Sequence, residues 1–321
     1  MKIDYYNPEC HKGSQPVRVL YQNTKHWFKY VYPEFKSTEL QEVIDKFGLH
    51  DDINIIDREE KIACPAFVGS FKIISIQETF LSYLWSLTYS LIFLYDKTIH
   101  EPRTIENYVM TSDVKEKAKK SHELFDYGLS LLNTFNPWDK ENLPNPELYD
   151  RVYDDYIEKA NGAYLHAVNF ILVHELGHVA LGHIDNDIES DTAGMKISND
   201  TLLADEMDAD NFSFDRMFLS TEHLTNNHTA SVGLISALCS FIFFSTNMKG
   251  GDHPDPDKRL QSALEKLKLA DEDNLWGLSC LAFKLWAMKH KLEFNWPQIT
   301  DTYKDLFYLT MTELEKIKNK K

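Results

Sequence analysis

The stretch ILVHELGHVALGH, at 171–183, places three histidines and one glutamate in a run with helical periodicity. On a helix each residue advances by about 100°, so His174 and His178 lie within about 40° of each other on one face. Two imidazoles placed in this way can bind one metal ion. Glu175 lies about 100° from His174, where its carboxylate can act as a general base. The spacing is that of the HExxH motif, in which zinc lowers the pKa of its water and the glutamate takes the proton.

The alternative is a buried helix whose histidines form ordinary hydrogen bonds, because HExxH also arises by chance. His183 does not settle the question. On a continuous helix it lies about 180° from His174 and faces away from the pair. We interpret it as a polar residue near the helix end, where a histidine interacts favourably with the helix dipole. A third ligand is therefore expected from elsewhere in the chain.

The segment LLADEMDADNF, at 202–212, offers that ligand. Glu206 and Asp210 are four residues apart and share a helical face, whereas Asp205 and Asp208 point elsewhere. Glu206 can complete a set of two histidines and one glutamate and leave the fourth zinc position to water. Asp210 can accept a hydrogen bond from the outer nitrogen of a ligand imidazole. A solvated acidic helix face is the alternative.

A third polar segment, DHPDPDKRL at 252–260, follows a long apolar run. His253, held by Pro254 in a tight loop, could donate to the oxyanion that forms when a peptide carbonyl is attacked. Arg259 could anchor this loop to a carboxylate, either Asp210 or another acid near the site. A turn followed by a Pro/Asp helix start is the alternative.

Helical periodicity dominates the chain after about residue 70. We predict a mainly α fold with a small mixed α/β N-terminal lobe at 1–76 and a helical core at 77–321, with the site on helices near 162–183 and 202–220. The basic end KIKNKK is predicted to be a frayed helix terminus. The other predicted helices are 38–47, 77–96, 112–134, 146–159, 229–246, 257–269, 273–290 and 300–318, and the predicted strands are 53–56 and 71–76.

Composition restricts the class of protein and its compartment. The chain has 321 residues and a net charge of -16, which argues against sequence-independent nucleic-acid binding. Its four cysteines form no CxxC pair, and its N-terminus lacks the apolar run of a secretory signal, so we expect a cytoplasmic protein. Two uncharged runs, 79–95 and 229–248, are interrupted by polar residues and are predicted to be buried helices rather than membrane spans.

HELGH, EMDAD and HPDPDKR, in this order, resemble the gluzincin peptidases. With ETFLSYLWSLTYSLIFLYD at 78–96, the chain resembles the Lit-like phage-exclusion peptidases of bacteria over about 71–260. The resemblance implies a zincin-like peptidase with one Zn²⁺ per chain, in which His174, His178 and Glu206 are ligands and Glu175 is the base. It also implies a cytoplasmic endopeptidase that is latent until a phage-derived trigger peptide appears. Such an enzyme would then cleave a host protein, for example elongation factor Tu.

The N-terminal lobe is a candidate for binding a substrate or a trigger peptide. We hypothesise that the run 71–76 is an edge strand against which an extended peptide pairs. Two other interpretations stay open. One is a membrane-embedded quality-control gluzincin, in which 79–95 and 229–248 span the bilayer. The other is a non-catalytic sensor protein that contains zinc.

Overall fold

The computed structural model describes most of the chain. Cys10 and the predicted helix end at 219–220 lie outside the described residues. The described residues are 14–30, 37–69, 71–151, 153–185, 197–218, 227–296 and 300–319.

Helices form most of the described chain, which confirms the prediction of a mainly α fold with a small mixed lobe. A 3₁₀ turn at Pro16–Leu20 leads directly into the first helix. The helices in chain order are α1 (Tyr21–Tyr30), α2 (Ser37–Phe47), α3 (Glu78–Tyr95), α4 (Ser112–Ser130), α5 (Asp155–Ala180), α6 (Asn199–Met217), α7 (His228–Ile242), α8 (Pro256–Lys266), α9 (Asn274–Lys289) and α10 (Tyr303–Asn319), with a π-helical turn at Asp96–His100 and a short helix at Glu101–Thr104.

In the described part of the chain, three short strands form one sheet, in the order β1 (Asn54–Ile56), β3 (Ile74–Gln77), β2 (Ala66–Val68). The prediction that 71–76 forms an edge strand is wrong. The strand there is β3, which pairs with β1 on one side and with β2 on the other, so it has no free edge. Strand β2 was not predicted, because three residues are too few to show an alternating pattern. The division of the chain at residue 76 stays a prediction.

Three apolar helices, α3, α5 and α7, form the centre of the molecule and pack against one another. Trp85 on α3 donates to Asn161 Oδ1 on α5 at 2.8 Å, and the Tyr83 hydroxyl donates to the Ser240 carbonyl on α7. Most residues of the two uncharged runs are thus buried between protein elements. None of the described helices combines the length and the hydropathy required to cross a membrane.

A buried carboxylate joins the N-terminal turn to the start of α3. Glu78 has no exposed surface. It accepts hydrogen bonds from the Arg18 guanidinium, with Nη2 at 2.9 Å from Oε2, and from the Tyr21 hydroxyl. Bidentate contacts of this kind are stronger than neutral hydrogen bonds. The contact therefore fixes Arg18 and Tyr21 against the first residue of α3, which lies about 60 residues further along the chain.

Substitution Glu78→Gln is expected to lower the free energy of unfolding by about 2 kcal/mol, because it leaves a partly buried Arg18 without its counter-charge. Urea denaturation measures the change. Glu106→Gln, at an exposed position, is the control and should change the value by less than about 0.5 kcal/mol. Equal effects of the two substitutions would contradict this account of Glu78.

Candidate metal centre and active site

Helix α5 carries the first two candidate ligands. It is buried along most of its length and ends at Ala180. His174 and His178 lie one turn apart on the face that α6 covers, and their Nε2 atoms are 3.2 Å apart. The two imidazoles thus direct one nitrogen each to the same point, as the helical spacing predicts.

Helix α6 brings the third candidate, Glu206, to that point. The helix begins after Ser198, whose hydroxyl accepts a hydrogen bond from the Thr201 amide at 3.1 Å. It crosses α5 closely at Gly177, where an added Cβ would lie 3.2 Å from Ala209 Cα. Because of this close contact, the side chains on either side of the crossing can reach one ion.

The separations of the three side chains are compatible with one shared metal ion. In a tetrahedron with bonds of about 2.0–2.1 Å, neighbouring ligand atoms lie about 3.3–3.4 Å apart. Glu206 Oε2 is 3.4 Å from His174 Nε2, and Glu206 Oε1 is 3.5 Å from His178 Nε2. One ligand atom from each residue lies within 4.8 Å of the others. The donor set, two imidazole nitrogens and one carboxylate, fits a divalent ion such as zinc.

Asp210 and Arg259 lie directly behind His174. Asp210 Oδ1 is 3.0 Å from His174 Nδ1, so the ring can donate there and direct Nε2 to the ligand cluster. Arg259 donates to both oxygens of Asp210, at 2.8 Å from Nε and 2.6 Å from Nη2. Burial would raise the pKa of Asp210, but the Arg259 charge and His174 outweigh burial and hold it below its usual range. The aspartate therefore stays ionised in the interior.

His183 does not face away from the histidine pair, as a continuous helix predicted, but contacts His178. Helix α5 ends at Ala180, and a turn at 181–182, in which Gly182 adopts a left-handed conformation with φ +82°, precedes a helical stretch at 183–185. The turn brings His183 Nδ1 to 3.1 Å from His178 Nδ1, while its Nε2 lies 3.4 Å from Asp205 Oδ1. His183 thus contacts the candidate ligand His178 on one side and Asp205 on the other, so it links Asp205 to the site. The glycine at 182 is the signal that could have indicated this turn.

Glu175 lines a cleft of about 270 Å³ together with two of the candidate ligands, His174 and Glu206. Residues 64–66, before and at the start of β2, also line this cleft. Burial raises the pKa of Glu175, although the neighbouring His174 and His178 oppose the shift. Burial and the Glu175 carboxylate likewise raise the pKa of the Cys64 thiol. Glu175 is thus a carboxylate beside the candidate ligands, and its pKa lies above the usual value for a glutamate. A raised pKa suits a general base.

His253 lies at the mouth of the cleft and contacts a candidate ligand. Its Nδ1 is 3.1 Å from Glu206 Oε1, and its side chain is 60% exposed. The contact with Glu206 was not anticipated from the sequence. Together with His174 and His178, His253 outweighs the effect of burial and holds the pKa of Glu206 far below its usual range.

Metal binding is expected to release a proton from His174. Burial lowers the pKa of this imidazole, but hydrogen bonds to Asp210 and Glu206 outweigh burial and raise it to about 9. In the metal-free chain a proton thus occupies His174 below that pH, and a metal ion must displace it. At pH 7.5 we expect release of about one proton per Zn²⁺, and apparent affinity should rise about tenfold per pH unit up to about pH 9.

Calorimetry in buffers with different protonation enthalpies measures this proton release. Asp210→Asn is the comparison variant, because it removes the carboxylate that favours the protonated ring and should reduce the release at pH 7.5. Equal release from both proteins would contradict the assignment to His174.

Comparison with known proteins assigns the chain to a family. The family model of peptidase U49 matches residues 74–279, which is more than half of the chain. The chain belongs to the peptidase U49 family. No curated protein and no solved structure matched the chain. This U49 peptidase is therefore a hydrolase of proteins or peptides, and the match covers the whole candidate metal centre but neither β2 nor α10.

Proposed function

We propose that this U49 peptidase is a zinc-dependent endopeptidase. The observation that carries the proposal is the arrangement of His174, His178 and Glu206, whose nitrogen and oxygen atoms approach one another to 3.2–3.5 Å. Such separations suit ligands of one zinc ion. Glu175 lies next to these atoms in a cleft large enough for part of a peptide. One Zn²⁺ per chain is the expected stoichiometry. Other divalent ions can also bind such a donor set.

Each side chain has a proposed role in peptide hydrolysis. Zinc, when bound, supplies a Lewis acid that polarises the substrate carbonyl and activates water. Glu175 accepts the proton of the attacking water and passes it to the leaving amine. His253, through Nε2, donates to the oxyanion that develops on the carbonyl. Arg259 holds Asp210, which orients the His174 ring.

Strand β2 is proposed as the element that binds an extended substrate. The Pro65 carbonyl and the Gly69 amide form hydrogen bonds with β3 and the residue just before it. In an antiparallel ladder the bonded residues alternate, so the main-chain groups of Ala66 and Val68 point to the other edge of β2. Ala66 also lines the cleft beside Glu175. A substrate main chain that pairs with this edge would therefore pass the catalytic carboxylate.

Substitution Ala66→Pro is expected to raise KM about tenfold with little change in kcat, because it removes one main-chain donor from the substrate-facing edge. Phe67→Pro is the comparison variant. Residue 67 faces β3, so that substitution should instead disrupt the sheet and lower the melting temperature. Peptide cleavage kinetics and thermal unfolding give the two measurements, and unchanged kinetics in Ala66→Pro would exclude pairing with this edge.

The biological part of the proposal rests on the resemblance to the Lit-like peptidases. On that basis the enzyme acts in the bacterial cytoplasm, is latent, and contributes to phage exclusion by cleaving a host protein, for example elongation factor Tu. A phage-derived peptide would be the trigger.

A search for new protein N-termini in bacterial cells tests the proposed function. Cells expressing the chain are compared with cells expressing Glu175→Gln, with and without phage infection. New termini that require Glu175 would support the peptidase and identify its substrate, and dependence on infection would support the trigger. Zinc binding without new termini in either condition would instead favour a non-catalytic sensor.

A further inference from the structure

The last turn of α10 reaches the segment that carries His253. Lys318 Nζ lies 2.8 and 2.9 Å from the two carboxylate oxygens of Asp257 and 2.8 Å from Asp255 Oδ2. The Lys318 side chain is only 7% exposed, and the Asp257 carboxylate is fully buried. The prediction that this basic end is frayed is therefore wrong for Lys318. A lysine buried between two carboxylates is a fixed contact rather than a solvated surface charge.

Asp255 transmits this contact to the loop 250–254. Its Oδ1 accepts a hydrogen bond from the Gly250 amide at 3.0 Å, while its Oδ2 binds Lys318. The loop closes tightly on Gly250, where an added Cβ would lie 2.1 Å from the His253 carbonyl oxygen and 2.5 Å from that of Pro254. The hydrogen bond from the Gly250 amide to the Asp255 carboxylate thus connects the first residue of the loop 250–254 to the residue that follows it. The position of His253 depends on this loop.

We propose that Lys318 is a positioning residue, which fixes the loop 250–254 through Asp255 and thereby holds His253 against Glu206. The proposal goes beyond the proposed function, since it assigns a role in the site to α10, which lies outside the family match. A helix near the end of the chain then determines the geometry of the cleft. Displacing that helix would release His253 from Glu206 while leaving all three candidate ligands in the sequence.

Hydrogen exchange tests the connection directly and requires neither metal nor substrate. In Lys318→Met, amides of the loop 250–254 are expected to exchange about tenfold faster, the effect of losing about one charged hydrogen bond. Lys316→Met is the matched control, because Lys316 lies in the same turn, is 59% exposed and pairs with Glu313. Its loop exchange should equal that of the unsubstituted chain.

Asp255→Asn tests the same connection from the loop side. The asparagine oxygen can still accept from the Gly250 amide, but it no longer carries the charge that binds Lys318. The carboxylate of Asp255 is 36% exposed, so the substitution should preserve the fold even if Lys318→Met does not. Faster loop exchange in this variant supports the proposal. Exchange equal to that of the Lys316→Met control would overturn it.

A double-mutant cycle separates positioning from general stabilisation. Co²⁺ affinity and the visible spectrum of bound Co²⁺ are measured for Lys318→Met, His253→Ala and the double variant. We expect each single substitution to weaken binding about tenfold, and the double variant to be no weaker than His253→Ala. Additive losses would overturn the proposal. Absence of Co²⁺ binding in the unsubstituted chain would count against the proposed function, and hydrogen exchange would then decide the role of Lys318.

Discussion

Glu175→Gln is expected to reduce peptide cleavage by at least about 1,000-fold and to leave metal binding unchanged. The effect of removing a general base is typically about 10²–10⁴-fold, and Glu175 lines the cleft next to the candidate ligand His174. Glutamine has nearly the same size but cannot accept the proton. The loss should appear in kcat, because the amide fills the same space and does not alter substrate binding.

Turnover of the purified substrate and metal content per chain give the two measurements for Glu175→Gln. Loss of cleavage together with loss of the metal would mean that the substitution had damaged the metal centre. Cleavage retained within about tenfold would contradict the role of Glu175 as the base.

Glu206→Gln is expected to weaken Zn²⁺ binding by more than 100-fold. Removal of an outer residue that only orients a ligand costs about 10–100-fold, and loss of a ligand charge should cost more. Asp208→Asn is the matched control. Asp208 lies on the same helix, two residues away, but it is exposed, so its substitution removes the same charge without touching the cluster.

Competition with a chelator of known affinity measures both variants. If Glu206→Gln and Asp208→Asn bound Zn²⁺ equally well, Glu206 would not be a ligand. The third ligand would then have to be sought among other groups that reach the two imidazoles, of which His253 is the nearest to Glu206.

The local spacing of the motifs predicted which side chains meet in the candidate ligand cluster, because residues four apart on a helix share a face wherever the helix lies. That argument indicates Glu206 and Asp210 on α6 as well as the two histidines on α5. It was less successful at helix boundaries. The predicted helices at 146–159 and 162–183 are replaced by α5 alone, and the expected start at Pro146 is a turn in which Asn145 Oδ1 accepts from two following amides.

Contacts between distant segments could not be derived from the sequence. Lys318 meets Asp255, and Arg18 meets Glu78, only after the helices have packed. β2 is recognisable as a strand only through its pairing with β3. Periodicity indicates which residues lie on one face of a helix or strand, whereas these contacts depend on which helices and strands pack against each other.

The close crossing of α5 and α6 has a consequence for ion selectivity. Gly177 allows the crossing, and a methyl group there would force Ala209 and Phe212 to move by a few tenths of an ångström. Glu206 lies one turn from Ala209 on the same helix and would move with it. The distance between the Glu206 carboxylate and the imidazoles of His174 and His178 would then increase. Ions of larger radius, such as Cd²⁺ or Mn²⁺, would then compete better against Zn²⁺. In the proposed metal site, the choice of ion would thus be governed in part by a residue that has no side chain.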